Sequence, residues 1–459
     1  MLKEIIQLTQ FLYPPLKGEG DINFSASRDQ WRARQSDAAR RLLDDDERYF
    51  LHQSLSTPCL QVLESCEGIY IQDVDGKRYM DFHGNNVHQV GYRNPYVIEA
   101  VKEQLDILPF SPRRFTNRPS IELARKLAEL APGSLNKVLF APGATSAIGM
   151  ALKLARLVTG KHKTLSMWDA FHGASLDALS VGGEALFRSG LGPLMPGSEH
   201  VPPFNSYRSS FGQDNDEELS LRYLQYVLEK EAGEIGAVII ETVRNTDVQI
   251  PPMDYYKKVR ALCDRHGALL ILDETAIALG RTGTMFAFEH YGVEPDMVVI
   301  GKGLGGGVMP LAALIVKEHL DIAGYTSLGH YTHEKSPLGA VAALATIRYI
   351  EENQLLQHVL EMETYLRKEL LQLQHKHNLI GDIRLIGMLA GIELVTNRVT
   401  KEKAVDEAEK ILYHCLERGL SFKVSQGNVL SLYPPLITSK GQLQVALSIL
   451  DEAFTMKNN

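Results

Sequence analysis

What most constrains this chain is a repeated alternation between residues 120 and 302. Four short apolar runs, KVLFAP (137–142), GAVIIET (236–242), ALLILDE (268–274) and DMVVIGK (296–302), are each bounded by a turn or a helix-like segment. SIELARKLAEL (120–130) and TSAIGMALKLARLV (145–158) repeat apolar residues at the three-to-four spacing of a helix face. A strand that is apolar throughout must be covered on both sides, and intervening helices supply that cover. The pattern predicts an α/β chain built on a mostly parallel sheet with helices on both faces.

The flanks read differently. RDQWRARQSDAARRLLDDDERYF (28–50) reads as a solvated helix in an N-terminal arm, and GIYIQDVDGKRYMDF (68–82) alternates around Asp75-Gly76 as a hairpin does. After Pro337 a long helical stretch to Lys376 leads into RLIGMLAGIELV (384–395) and VLSLYPPL (429–436). This predicts a smaller C-terminal α+β domain that takes strands from the N-terminal residues. The expected division is 1–80 for the arm and part of the small domain, 81–338 for the large domain and 339–459 for the C-terminal small domain.

With 459 residues the chain exceeds one simple core. Its net charge of −8 argues against nucleic-acid and anionic-membrane partners, so any bound anion must be met by local basic residues. The four cysteines show no metal-finger or CxxC spacing, which points to free thiols and a cytoplasmic protein. No metal site is expected. The apolar start MLKEIIQLTQFLYPPLKGEG is interrupted, too short to span a membrane, and lacks the pattern of a signal peptide.

In open parallel sheets ligands bind beyond the carboxyl ends of the strands. Gly143, Glu241, Asp273 and Lys302 all follow such ends. An aspartate there often only caps a helix, and a lysine in a glycine-rich turn is equally weak alone. Together they match one cofactor. Pyridoxal phosphate needs a lysine to hold its aldehyde as a Schiff base and a carboxylate to keep its pyridine nitrogen protonated.

Several stretches now carry a resemblance: DE (273–274) followed by GRTG (280–283), PDMVVIGKGLGGG (295–307), PGATSAIGMALKLAR (142–156), WDAFHGAS (168–175) and GHYTHEKSP (329–337). From about residue 55 to 455 the chain resembles the class-III, fold type I pyridoxal-phosphate enzymes, the family of ornithine and 4-aminobutyrate aminotransferases. The resemblance implies a seven-stranded, mostly parallel sheet in the large domain. It implies that Lys302 is the Schiff-base lysine and Asp273 the partner of the pyridine nitrogen. Gly143, Ala144 and Thr145 then form a phosphate cup, Phe171 stacks on the ring, and His172 and Glu241 complete the cofactor site. Thr332 reaches the phosphate of the neighbouring subunit, which implies a homodimer with shared sites. On physical grounds, amides at a helix N-terminus favour a dianion.

Departures from the family narrow the function. Many members carry an arginine in the segment matching VLSLYPPL that clamps a carboxylate; here Ser431 stands there, and a serine cannot replace a planar fork. Glu241, which pairs with that arginine in relatives, sits in ETVRN, so Arg244 is a candidate partner for it or for a substrate anion. Ala276 replaces a glutamine that bonds the cofactor's phenolic oxygen. Arg113 and Arg114 in FSPRRFTN (110–117) fall where relatives line the substrate entry, although adjacent arginines also serve as a solvated face. Asn85, Asn86 and His88 are further candidates for that pocket or for a dimer interface. A lyase needs no keto-acid acceptor, and the overall pattern resembles the class-III members that act as lyases on small amines bearing a phosphorus anion. That resemblance implies an enzyme that takes a small phosphonate-bearing amino alcohol to phosphonoacetaldehyde and ammonia, with Lys302 as the base and Arg113, Arg114 or Arg244 on the anion. The alternatives are a phospho-lyase acting on ethanolamine phosphate and an omega-aminotransferase with an unusual acceptor site. A sensor or binding role on the same fold is disfavoured, because Lys302 and Asp273 are both present and no basic recognition helix is evident.

Overall fold

A computed structural model describes residues 24–55, 59–209, 211–212, 216–231 and 233–456. The apolar start at 1–20 lies outside them. The arm is two helices where the sequence predicts one: α1 (Ala26–Ala33) and α2 (Asp37–Tyr49). The break falls at Ser36, whose hydroxyl accepts from Ala39 N and so opens a new helix.

Three strands follow, β1 (Leu63–Glu67), β2 (Tyr70–Asp73) and β3 (Arg78–Asp81). β2 and β3 form the hairpin expected at Asp75-Gly76, with Tyr70 opposite Met80. The large sheet then begins at β4 (Leu135–Ala141), which feeds helix α3 (Ala144–Thr159). It continues through β5 (Lys163–Met167), β6 (Ser198–Val201), β7 (Ile235–Glu241), β8 (Leu269–Asp273), β9 (Met297–Ile300) and β10 (Ala312–Lys317). The spatial order is β4-β10-β9-β8-β7-β5-β6, and β10 alone runs against its neighbours. Alternate residues of each strand enter separate cores. Ala237, Ile239, Ile271 and Val299 pack with Ile148 and Ala151 of α3, while Val238, Ile240, Leu270 and Val298 pack with Leu123, Tyr255 and Val259 on the other face. The apolar runs that suggested a doubly covered sheet are explained by this period of two.

Helices α4 (Pro337–Glu352) and α5 (Leu355–Lys376) divide the long helical stretch, with Gln354 at φ 50° between them. The chain ends in β11 (Ile380–Ile386), β12 (Leu389–Asn397), β13 (Glu402–Lys403), β14 (Leu420–Ser421), β15 (Lys423–Ser425) and β16 (Val429–Leu432), followed by a helix over Lys440–Phe454. β14 pairs with β3, so the first sheet contains both N- and C-terminal residues, and β11-β12-β16-β15 makes a further sheet with β13 beside β12. Among the described residues none of the four cysteines forms a disulfide. Among the described residues no helix is long and apolar enough to cross a membrane, and no cluster of metal-ligating side chains occurs.

Candidate active site

The carboxyl ends of β4, β5, β7, β8 and β9 converge on a cavity of about 470 Å³. Register brings the chemistry together: Glu241 and Asp273 are direct neighbours across β7 and β8, and Asp273 faces Val299 on β9. Lys302 follows β9 in a left-handed conformation, φ 44°, and lines the cavity. Such a backbone costs a non-glycine residue about 1 kcal/mol or more and gathers at functional positions.

Asp273 is 5 % exposed, and its Oδ2 lies 2.8 Å from His172 Nδ1 while Oδ1 accepts from Thr275 N at 3.0 Å. The carboxylate is therefore fixed from two sides with its face toward the cavity. Glu241 accepts from Phe171 N at 3.0 Å and from Asn245 N at 3.1 Å. Burial raises its pKa above the ordinary carboxyl range; His172 pulls it down and neighbouring Asp273 pushes it up. Gly143 caps α3 in extended backbone with no side chain in the capping position, which leaves that helix end to a ligand. Gly143, Ala144, Thr145, Phe171 and His172 all line the cavity.

Other expected residues lie elsewhere. Arg244 does not reach Glu241 or the cavity: it is buried, with Nε 2.7 Å and Nη2 2.5 Å from the two oxygens of Asp247. The Nε–Nη2 edge is thus taken by a bidentate partner, and Nη1 lies 3.6 Å from Asp169 Oδ2, away from the cavity lining. Arg113 donates from Nε to Glu334 Oε1 at 3.0 Å and from Nη2 to Gly329 O at 3.3 Å, tying its loop to the 329–334 loop outside the cavity. Arg114 is exposed over the Phe115 ring, and Thr332 is exposed as well, so within one chain neither meets the cavity. Asn86 donates to Asn245 Oδ1 at 2.9 Å and His88 lies 2.9 Å from Asp81 O; Asn85 is exposed. Ser431 is fully buried, its hydroxyl donating to Thr246 O at 3.1 Å and lying 3.0 Å from Ser425 Oγ.

Sequence reading missed Asn245, Thr246, Thr275 and the 307–311 turn, all of which line the cavity with Ala276. Thr275 carried a signal, being two residues past a strand-end aspartate. The others come from loops that only the fold brings near.

This donor set fits pyridoxal phosphate. One ammonium, one buried carboxylate held by an imidazole, an open helix N-terminus and an aromatic ring share one cavity. The buried Thr275 hydroxyl has no partner among the described residues.

Residues 52–454 match the class-III aminotransferase family model. The chain is 52% identical to the (R)-1-hydroxy-2-aminoethylphosphonate ammonia-lyase of Vibrio splendidus, over 98% of this chain and 96% of that protein. It is 32% identical to the isoleucine 2-epimerase of Lentilactobacillus buchneri, over 92% and 96%. Among solved structures it superposes with TM-score 0.85 on an (S)-enantioselective omega-transaminase from Thermomicrobium roseum, at 29% identity over 91% of this chain and 98% of that one. A second, the taurine:2-oxoglutarate aminotransferase of Bifidobacterium kashiwanohense in complex with PLP and glutamate, matches at TM-score 0.85 and 29% identity, over 91% and 97%. The chain belongs to the class-III aminotransferase family, and pyridoxal phosphate is its cofactor.

Proposed function

We propose that this enzyme is an ammonia-lyase that converts (R)-1-hydroxy-2-aminoethylphosphonate to phosphonoacetaldehyde and ammonia. The observation that carries the reading is Ser431. At the position of the family's carboxylate clamp stands a buried hydroxyl already engaged by Thr246 and Ser425, so a keto-acid acceptor lacks its usual partner. Identity of 52% to a protein named for this reaction supports it.

In this reading Lys302 would hold the cofactor aldehyde, Asp273, oriented by His172, would pair with the pyridine nitrogen, and Phe171 would stack on the ring. Gly143, Ala144 and Thr145 would hold the phosphate, Glu241 would complete the cofactor site, and Thr332 would serve the partner chain's cofactor. When bound, pyridoxal phosphate supplies the electron sink for the pair released at the amine carbon. Lys302 Nζ would remove the proton from the carbon bearing nitrogen and protonate the hydroxide that leaves the adjacent carbon. That adjacent carbon would then regain a proton and water would replace nitrogen, so the water lost is returned and the net change is loss of ammonia and gain of an aldehyde. The homodimer, the division at 80 and 338, and a cytoplasmic location belong to the same proposal.

The test is ammonia release from the amino-alcohol phosphonate by the holoenzyme with no keto acid present. Catalytic release of ammonia with phosphonoacetaldehyde is the expected result. The superposition on transaminases favours a second reading; activity only with an amine donor and pyruvate would establish it. Phosphate release from ethanolamine phosphate would instead mark a phospho-lyase.

A further inference from the structure

The cavity poses a problem of charge. The proposed substrate carries a phosphonate, yet among the described residues Lys302 is the one ammonium lining the cavity, no arginine lines it, and Arg244 lies outside it, bound to Asp247. The cation that meets the anion must come from the rim.

β15 lies antiparallel to β16, with Lys423 directly opposite Ser431. Residues so paired project from the same face of the sheet with Cβ atoms about 5 Å apart. Three contacts show where that face looks. Ser431 Oγ donates to Thr246 O at 3.1 Å, the Tyr433 hydroxyl donates to Asn245 O, and the Tyr433 ring stands 5.5 Å from that of His83. Asn245 and Thr246 line the cavity. Lys423 is thus set on the face that closes over the cavity's lip, beside the position from which relatives extend their arginine. The surroundings of His83 give the same placement independently. Burial, followed by the charges of Lys423, Lys302, His88 and Arg281, keeps its imidazole neutral well below the ordinary range. The His83 ring, 5.5 Å from that of Tyr433, is thus within reach of the charges of both lysines.

We propose that Lys423 binds the phosphonate of the substrate, replacing from β15 the arginine that relatives carry on β16. The proposal deepens the ammonia-lyase reading and rests on it. An ammonium with three rotatable donors binds phosphate-type dianions as a point charge, without the fixed geometry of the guanidinium fork. Moving the cation one strand sideways displaces it by about 5 Å. That shift separates a substrate bearing its anion beyond a carbinol carbon from a short keto acid.

The experiment is calorimetric titration of holoenzyme with 2-hydroxyethylphosphonate, which lacks the amine and cannot react, together with kinetics on the amino-alcohol phosphonate. Lys423→Met is expected to weaken the probe and raise KM by about tenfold or more, the range of a lost charge-assisted hydrogen bond, with kcat changed far less. Lys423→Arg should recover most of both, and the absorbance of bound cofactor should be unchanged in either variant. Lys423→Gln serves the same purpose should the methionine variant fold poorly. Unchanged probe affinity and KM in the methionine or glutamine variant would overturn the assignment, as would a fall in kcat alone. A wild-type enzyme that releases no ammonia overturns the lyase reading, and the probe titration still decides whether Lys423 holds the anion.

Discussion

Arg244 and Asp247 are three residues apart, both buried, and joined by two short hydrogen bonds in a turn that Gln249 closes by donating to Asp247 at 2.7 Å. Burial alone would raise the Asp247 carboxyl; the guanidinium outweighs it and holds the pKa at about 2. A folded pKa below the ordinary 3.8 means a contribution that is complete above about pH 4 and lost as pH falls toward 2. It amounts to about 2 kcal/mol. Asp247→Asn is expected to cost about 3 kcal/mol at pH 5, because it strands a buried guanidinium. The gap from wild type should narrow by about 2 kcal/mol between pH 5 and pH 2 in urea titrations. A gap independent of pH would show that charge is not the cause. Lys302→Ala should abolish turnover and leave no covalent adduct after borohydride reduction of the holoenzyme; an adduct of full yield would remove Lys302 from its role. That Lys302 and Asp273 share one cavity was legible in the sequence because both follow apolar strands, and the pair, weak singly, fits one cofactor together. Arg244 was misread because the partner that consumes it lies in a turn whose geometry no spacing reveals.

At the level of elements, the strands could be read and their neighbours could not. Continuous apolar runs announced β7, β8 and β9, since the two cores demand apolar residues on both faces. Nothing in SFKVSQGNVLSL shows that β15 folds back so that Lys423 meets Ser431, or that β14 leaves its neighbours to pair with β3. The helical stretch after Pro337 carries no proline, so the break at Gln354 was also hidden. The turn joining β11 to β12 shows how tightly such choices are fixed. Gly387 has φ 55°, and a Cβ there would stand 2.4 Å from Arg281 O and 2.6 Å from Thr282 Cα. The two segments also exchange bonds, Met388 N donating to Arg281 O at 3.0 Å and Arg281 Nη1 to Met388 O at 3.3 Å. Gly387→Ala therefore meets an unfavourable φ and a backbone clash together. A loss of about 3 kcal/mol in urea unfolding is expected. Wild-type stability in that variant would show that the turn can relax.

For the whole molecule, Arg113, Arg114 and Thr332, left outside the cavity, lie on two joined loops. Arg113 ties the 110–115 loop to Glu334, and the Phe110 and His333 rings lie 5.1 Å apart. Around them Phe115 and Tyr325 are 55% and 77% exposed, with Arg114 and Thr332 exposed beside them. Exposed aromatics gathered on two joined loops fit the interface of the proposed homodimer. An isologous dimer through this face would carry each chain's Arg114 and Thr332 toward the other chain's cavity. Shared sites have a consequence that a merely dimeric protein lacks. A Lys302→Ala chain is dead in its own cavity but still offers Arg114 and Thr332; an Arg114→Ala/Thr332→Ala chain keeps Lys302 but offers neither. Each homodimer should be impaired at both sites, whereas the mixed dimer rebuilds one complete site from the two. With random pairing on co-expression, about a quarter of all sites should then be intact, giving activity well above either parent. Activity no greater than the mean of the parents would mean that each cavity is completed by its own chain.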